Sequence, residues 1–279
     1  MGWQGRLQLD YRLDGQRTVG RDNHHGPLRV LKSLHPEGPG TCHHVLVHPP
    51  GGLAGGDRLE LAVTLGQGAH ALVTMPGATR FYRSLGEQAL QVVDARLEPG
   101  ARLEWLPLET IAYRGTRAAN RMRFSLAGDA QMIGWDMLAL GLPASGEAFD
   151  AGRYEQRIEL PGSWLDRAIV DASDPWFGRL MDGPLGWDGQ RAMATVWCAC
   201  GEAWTDALRE ALLDDARQAL AEGPLAARSG ATSPAPGLVL LRALAPRVEP
   251  LWEAVQVVRR AWRERLWNMP AATPRIWRT

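Results

Sequence analysis

The stretch "DRLELAVTLGQGAHALVTMPG" (residues 57–77) decides how the rest of the chain is read. Leu59, Leu61, Val63 and Leu65 occupy every second position. Successive side chains of an extended backbone point to opposite faces, so this period of two lines one side of a strand with apolar residues. "GQG" at 66 ends that strand, and "PG" at 76 ends the next. The pattern recurs outward in both directions. Leu7, Leu9, Tyr11 and Leu13 make an earlier stripe, and Met122, Phe124 and Leu126 a later one. Further turn signals stand at 99 ("PG"), 128 ("GD") and 161 ("PG"). Short strands at such spacing predict stacked or wound β-sheets. Strand–helix alternation of the parallel α/β kind is absent, and no strict short repeat marks a regular solenoid.

The character changes near residue 200. Trp204, Leu208, Ala211, Leu212 and Ala216 share one face at helical spacing in "EAWTDALREALLDDARQALAEG" (202–223). "RSGATSPAPG" (228–237) reads as a polar loop, and "LVLLRAL" (238–244) as a short strand. Pro250 opens a second helix with the face Leu251, Val255, Val258, Trp262 and Leu266. The whole chain reads as one domain, a β body over about 1–200 and a helical part over about 201–279, both helices closing over the β portion.

The 279 residues carry 31 basic and 31 acidic side chains, a formal net charge of +0. Long-range attraction to nucleic acid or anionic lipid is therefore not expected. All basic residues but Lys32 are Arg. Three cysteines, Cys42, Cys198 and Cys200, form no disulfide framework and suit a reducing compartment. The opening "MGWQGRLQLDYRLDG" lacks a signal-peptide apolar region, and no apolar run is long enough to span a membrane. A cytoplasmic protein is expected.

The glycine-rich "HPPGGLAGGD" (48–57) first suggests a phosphate cradle. A P-loop needs Lys and then Ser or Thr after its last glycine, whereas Asp57 follows Gly56 and would repel phosphate. The dinucleotide spacing and the helix after it are also missing. The stretch reads instead as a tight hairpin, closed by Pro49 and Pro50, with Asp57 bracing the turn. All seven histidines lie between positions 24 and 70. In extended "CHHVLVH", Cys42, His44 and His48 share a face and His43 takes the other, without structural-zinc spacing. No nucleophile elbow is present. The carboxylates Glu104, Glu109, Asp136, Glu147 and Asp166 leave a β-helical carbohydrate-active enzyme open as an alternative, because its chemistry needs two carboxylates across a sugar.

Five stretches in order resemble one family: "GPLRVLKSLHPEG" (26–38), "HVLVHPPGGLAGGDRLEL" (44–61), "GAHALVTMPGATRFYRS" (68–84), "GARLEWLPLETIAY" (100–113) and "IGWDMLALGLPASGEAF" (133–149), joined by "PRIW" (274–277). Together they resemble the UreD family of urease accessory proteins across nearly the whole chain. The resemblance implies a mainly β, β-helix-like elongated body with two helices in the C-terminal third. It implies a urease maturation factor with no catalysis and no permanently bound cofactor. The partners it implies are UreF directly, the GTPase UreG through UreF, and apo-urease, with no nucleic acid or membrane. It also implies a polar internal passage that carries nickel transiently. Matched motif to motif, the lining residues are Asp57, Thr79, Asp136 and Asp166. The family usually has Glu before Arg where Asp166 and Arg167 stand. His43 is extra to the family pattern and is given no nickel role. A scaffold that recruits UreF and UreG without conducting metal is the alternative.

Overall fold

The computed structural model describes residues 2–278. In chain order, strands shuttle between two sheets. β1 (Gln4–Asp14) and β2 (Arg17–His25) pair in a seven-stranded sheet, and β3 (Arg29–Leu34) and β4 (Thr41–Val47) in a ten-stranded one. β5 (Arg58–Leu65) returns to the first sheet. β6 (His70–Thr74) and short β7 (Thr79–Phe81) lie in the second. β8 (Ala89–Leu97) crosses back, and β9 (Arg102–Leu106) and β10 (Thr110–Ala112) cross again. β11 (Thr116–Leu126) and β12 (Gln131–Leu140) repeat the crossing, before β13 (Gly152–Leu160) and β14 (Trp164–Asp171) close the seven-stranded sheet. After α1 (Phe177–Asp182), the ten-stranded sheet gains β15 (Ala192–Cys200), β16 (Ser229–Ala235) and β17 (Leu238–Ala245). α2 (Asp206–Ala219) and α3 (Val248–Trp267) are the long helices.

The strands wind as a coil. β1, β5, β8, β11 and β13 are mutually parallel neighbours, as are β4, β6, β9 and β12. Parallel neighbours need a long crossover. Here a strand of the opposite sheet supplies it, where an α/β protein would use a helix. Leu59 sits beside Gln91, Gln91 beside Asn120, and Asn120 beside Gln156, at unequal sequence intervals. That inequality explains why a coiled fold shows no strict repeat.

Alternation fills the space between the sheets. Leu59, Leu61, Val63 and Leu65 are each no more than 5% exposed and join a core with Trp105, Phe124 and Trp197. The other face of the ten-stranded sheet meets the helices in a second core, where Trp135, Val196 and Leu241 meet Leu212, Val255 and Trp262. A sheet buried on both faces loses its polar alternation. β12 reads "QMIGWDMLAL" for that reason, and Asp136 stands alone in it.

Three details differ from the sequence expectation. Residues 48–57 do not make a hairpin, because β4 and β5 belong to different sheets. The glycines serve a crossing loop: Gly56 has φ +88, and a Cβ at Gly52 would meet Tyr82 at 2.5 Å and the Arg80 carbonyl at 2.7 Å. Residues 229–235 are an edge strand and not a loop; an edge has unpaired positions that tolerate Pro234. α2 starts after Thr205, whose hydroxyl accepts the Leu208 N–H at 3.3 Å, so Trp204 is buried ahead of the helix. α3 starts at Val248, two residues before Pro250, which still lies in the first turn.

Candidate functional site

The two sheets present facing polar rows inside an apolar core. On the seven-stranded sheet, Gln91, Asn120 and Gln156 stand side by side on β8, β11 and β13. On the ten-stranded sheet, buried Asp136 and Thr195 and half-exposed Arg242 stand side by side on β12, β15 and β17. Buried polar groups require partners, and the amides of the first row supply them to Asp136. Gln91 Nε2 donates to Asn120 Oδ1 at 3.2 Å, and Asn120 Nδ2 to Asp136 Oδ1 at 3.4 Å. Gln156 Nε2 donates to Asp136 Oδ2 at 2.5 Å.

A cavity lies at each end of this line. One, of about 240 Å³, is lined by Leu46, His48, Met75, Thr79 and Gln91. The other, of about 420 Å³, opens beside α1 and is lined by Asp166, Trp187, Met193, Arg228 and Arg242. There, Arg242 Nη2 meets Asp166 Oδ2 at 2.7 Å and ties β17 to β14 across the sheets.

Asp136 is the electrostatic centre of the line. Burial raises its carboxyl to about 7; the Gln156 hydrogen bond opposes the rise and the Asp166 charge adds to it. No cation pairs with it among the described residues, so its charge is held by two amides. Burial also lifts the neighbouring Tyr154, helped by the charge of Asp136. Among the described residues, the buried Thr195 Oγ1 next to Asp136 finds no hydrogen-bond partner.

The structure thus brings three sequence-predicted residues onto one line. Thr79 lines the first cavity and donates to Met75 Sδ at 3.7 Å. Asp136 holds the middle, and Asp166 lines the second cavity. Asp57 stands apart from both linings. Its Oδ1 accepts the Trp3 N–H at 2.7 Å and its Oδ2 the Ala54 N–H at 2.8 Å, which locks the crossing loop onto the start of the chain. Its charge reaches the first cavity through His48, whose pKa burial lowers and Asp57 raises. Gln91, Asn120, Gln156 and Arg242 escaped the sequence reading. Each is a single polar residue on the inward side of an apolar stripe, as Asn120 is between Ala118 and Met122, and that was the available signal.

The histidine stretch does other work. His44 bridges the hydroxyls of Tyr11 (2.8 Å) and Ser33 (2.7 Å), and burial holds its pKa down at about 4. His43 points to the other side of β4 and meets Glu37 Oε1 at 2.7 Å. Cys198 and Cys200 are buried thiols on β15. Among the described residues, no group of three or more His, Cys, Asp or Glu is arranged to hold a metal ion. Neither Glu104 nor Asp136 lies in an open groove, since both are buried. Among the described residues, no helix is long and apolar enough to cross a membrane.

The fold and this site define a class: a wound two-sheet β protein, capped by helices on one side, with a polar line through its core. Comparison with known proteins narrows it. The family described as "UreD urease accessory protein" matches residues 4–278. A urease accessory protein UreD of Leptothrix cholodnii is 55% identical over 281 residues, covering 100% of both chains. Those of Paracidovorax citrulli (54% identical, 99% of both chains) and Methylibium petroleiphilum (52%, 100% of both) are similar along their full length as well. The chain belongs to the UreD urease accessory protein family.

Proposed function

We propose that this protein matures urease by passing nickel along the line between its sheets. In this reading it acts without catalysis of its own, in a chaperone complex with UreF and, through UreF, the GTPase UreG, docked on apo-urease. The observation that supports the reading is a row of polar groups, hydrogen-bonded from Gln91 at the Thr79 cavity to Asp136 and carried on by its sheet neighbours Thr195 and Arg242 to the Asp166 cavity. A transit path must bind its ion well enough to admit it and weakly enough to release it. Imidazole and thiolate hold Ni²⁺ tightly, whereas carboxylate, amide oxygen and water hold it loosely. Between its two cavities the line offers only the loose kind, and the one imidazole, His48, stands at the first cavity. A buried hydroxyl without a protein partner, such as Thr195 Oγ1, is where ordered water resides, which suits a hydrated route. A carboxyl that titrates near 7 gives up its proton when the cation arrives and regains it when the cation leaves.

The test is activation of apo-urease by the chain co-purified with UreF and UreG, supplied with nickel, GTP and bicarbonate. Asp136→Ala is expected to keep UreF bound and to lower activation about tenfold, the loss of one charge-assisted ligand. Wild-type activation by both Asp136→Ala and Asp166→Asn would leave the scaffold role standing and remove the nickel route.

A further inference from the structure

The outward face of the seven-stranded sheet carries an arrangement that folding alone does not favour. Arg121, Arg157 and Arg167 lie directly side by side on β11, β13 and β14. All three point outward, with side chains 46%, 39% and 54% exposed. Like charges directly opposite in a sheet destabilise it. Arg117 and Arg153 form a second like-charged pair on the same face. The acids there are too few. Glu155 is shared by Arg121 (3.6 Å), Arg153 (3.5 Å) and Arg167 (3.7 Å), while Arg157 takes Glu159 at 2.8 Å. Asp171 faces Arg153 at 3.7 Å. With Arg123, which lies between Glu159 and Asp94 of β8, six arginines face four acids in a chain whose net charge is +0.

Two further observations belong to the same face. The long helices pack against β12, β15, β16 and β17 of the other sheet, so among the described residues they leave β11, β13 and β14 uncovered. Leu165 and Ile169, 53% and 41% exposed, project outward from the edge strand β14 among the arginines. Exposed apolar residues amid arginines are the composition of a protein-binding core, where Arg is enriched.

We infer that the outward face of β11, β13 and β14 is a docking surface for an acidic protein patch, and that its occupant is apo-urease. The inference rests on the maturation role proposed above, which brings urease to the chain. Carboxylates of the partner would enter the arginine row, relieve its repulsion and desolvate Leu165 and Ile169.

The test uses the full chain with UreF, and immobilised apo-urease as the probe. The variant is Arg121→Gln/Arg157→Gln/Arg167→Gln, with Leu165→Ser/Ile169→Ser as a second. The arginine variant is expected to melt at or above the wild-type temperature. It should bind apo-urease at least about tenfold more weakly at about 0.1 M NaCl and lose most of the salt dependence. The second variant should weaken binding and keep the salt dependence. Wild-type affinity and salt dependence in the arginine variant would overturn the assignment while leaving the maturation role intact. Loss of UreF co-purification with urease capture unchanged would give the face another occupant and overturn it as well. A wild-type chain that neither captures nor activates urease would overturn both readings.

Discussion

Glu104 and Asp136 are two buried carboxylates on opposite faces of one sheet, and they titrate in opposite directions. Glu104 faces the helices. Burial alone would raise its carboxyl, but the charges of Arg259 and Arg263 and the hydrogen bond from His70 more than offset this and hold it below the usual range. Arg259 Nη2 and Arg263 Nε lie 2.7 and 3.4 Å from its oxygens, and Arg263 Nη2 reaches Glu37 at 2.6 Å. Asp136 faces the other sheet and has amides only, so burial dominates and its carboxyl rises to about 7. Equal burial therefore gives opposite chemistry, and the neighbours decide which. The helix side fixes a charge to hold structure together. The sheet side leaves a charge uncommitted, which is what a transient ligand requires.

The comparison breaks most severely at Glu104. Glu104→Gln leaves the buried Arg259 guanidinium with the Ala272 carbonyl and Arg263 with Glu37 as the remaining partners, and is expected to cost about 3–5 kcal/mol in urea unfolding. Replacing Glu104, Arg259 and Arg263 together by Met should recover most of that loss, because an apolar cluster needs no compensation. A small loss in the single variant would show that the pairing is not what holds Glu104 ionised.

Asp136→Asn should act with the opposite sign. At pH 8 the wild type keeps an unfavourable buried charge, so the variant is expected to gain on the order of 2–4 kcal/mol while losing urease activation. A variant less stable than wild type at pH 8 would refute the uncommitted charge.

The pH profiles sharpen the contrast further. The folded-state value of Asp136, about 7, lies above its unfolded value of about 4. Between them the folded chain holds a proton that the unfolded chain has lost, so stability falls as pH rises through this window and levels off above it. Glu104 contributes the reverse: its stabilisation is present above an unfolded value of about 4 and is lost as pH falls below it. Asp136→Asn should remove the first slope and leave the second, as read by urea midpoints between about pH 4 and 8.

The smallest expected effect is at Arg242. Its pair with Asp166 is half open to water, so Arg242→Ala should cost less than about 1 kcal/mol. It should nevertheless push Asp136 higher still, because the charge of Asp166 then stands uncompensated. Carboxyl titration by NMR reads that shift.

Much of this was legible in the chain. Leu59 to Leu65 and Met122 to Phe124 announced strands with one buried face, and Leu251 to Trp262 announced a helix face, because periodicity is local. Strand partners are not local. "HPPGGLAGGD" has the composition of a hairpin, yet its flanking strands enter different sheets, and β5 pairs instead with β1 and β8. Residues 229–235 looked like a loop because an edge strand tolerates Gly230 and Pro234. Thr79, Asp136 and Asp166 were marked by family resemblance, whereas the amides that support Asp136 came only from the coil's register. Arg259, four residues after Val255 on a buried helix face, carried a sign of the ionic cluster, but its partner lies far away in sequence.

That distance has a consequence for synthesis. Glu104 and Arg259 are separated by 155 residues. While the ribosome is still translating the middle of the chain, the strand bearing Glu104 can pair with its neighbours but has no cation to neutralise it. The second core cannot close around a carboxylate held only by the hydrogen bond from His70. α3 follows all the strands in the chain and brings both guanidinium groups at once, so the second core closes only after α3 has been made. A nascent or truncated chain ending before Arg259 should remain open, soluble only with help, and a substrate for proteolysis.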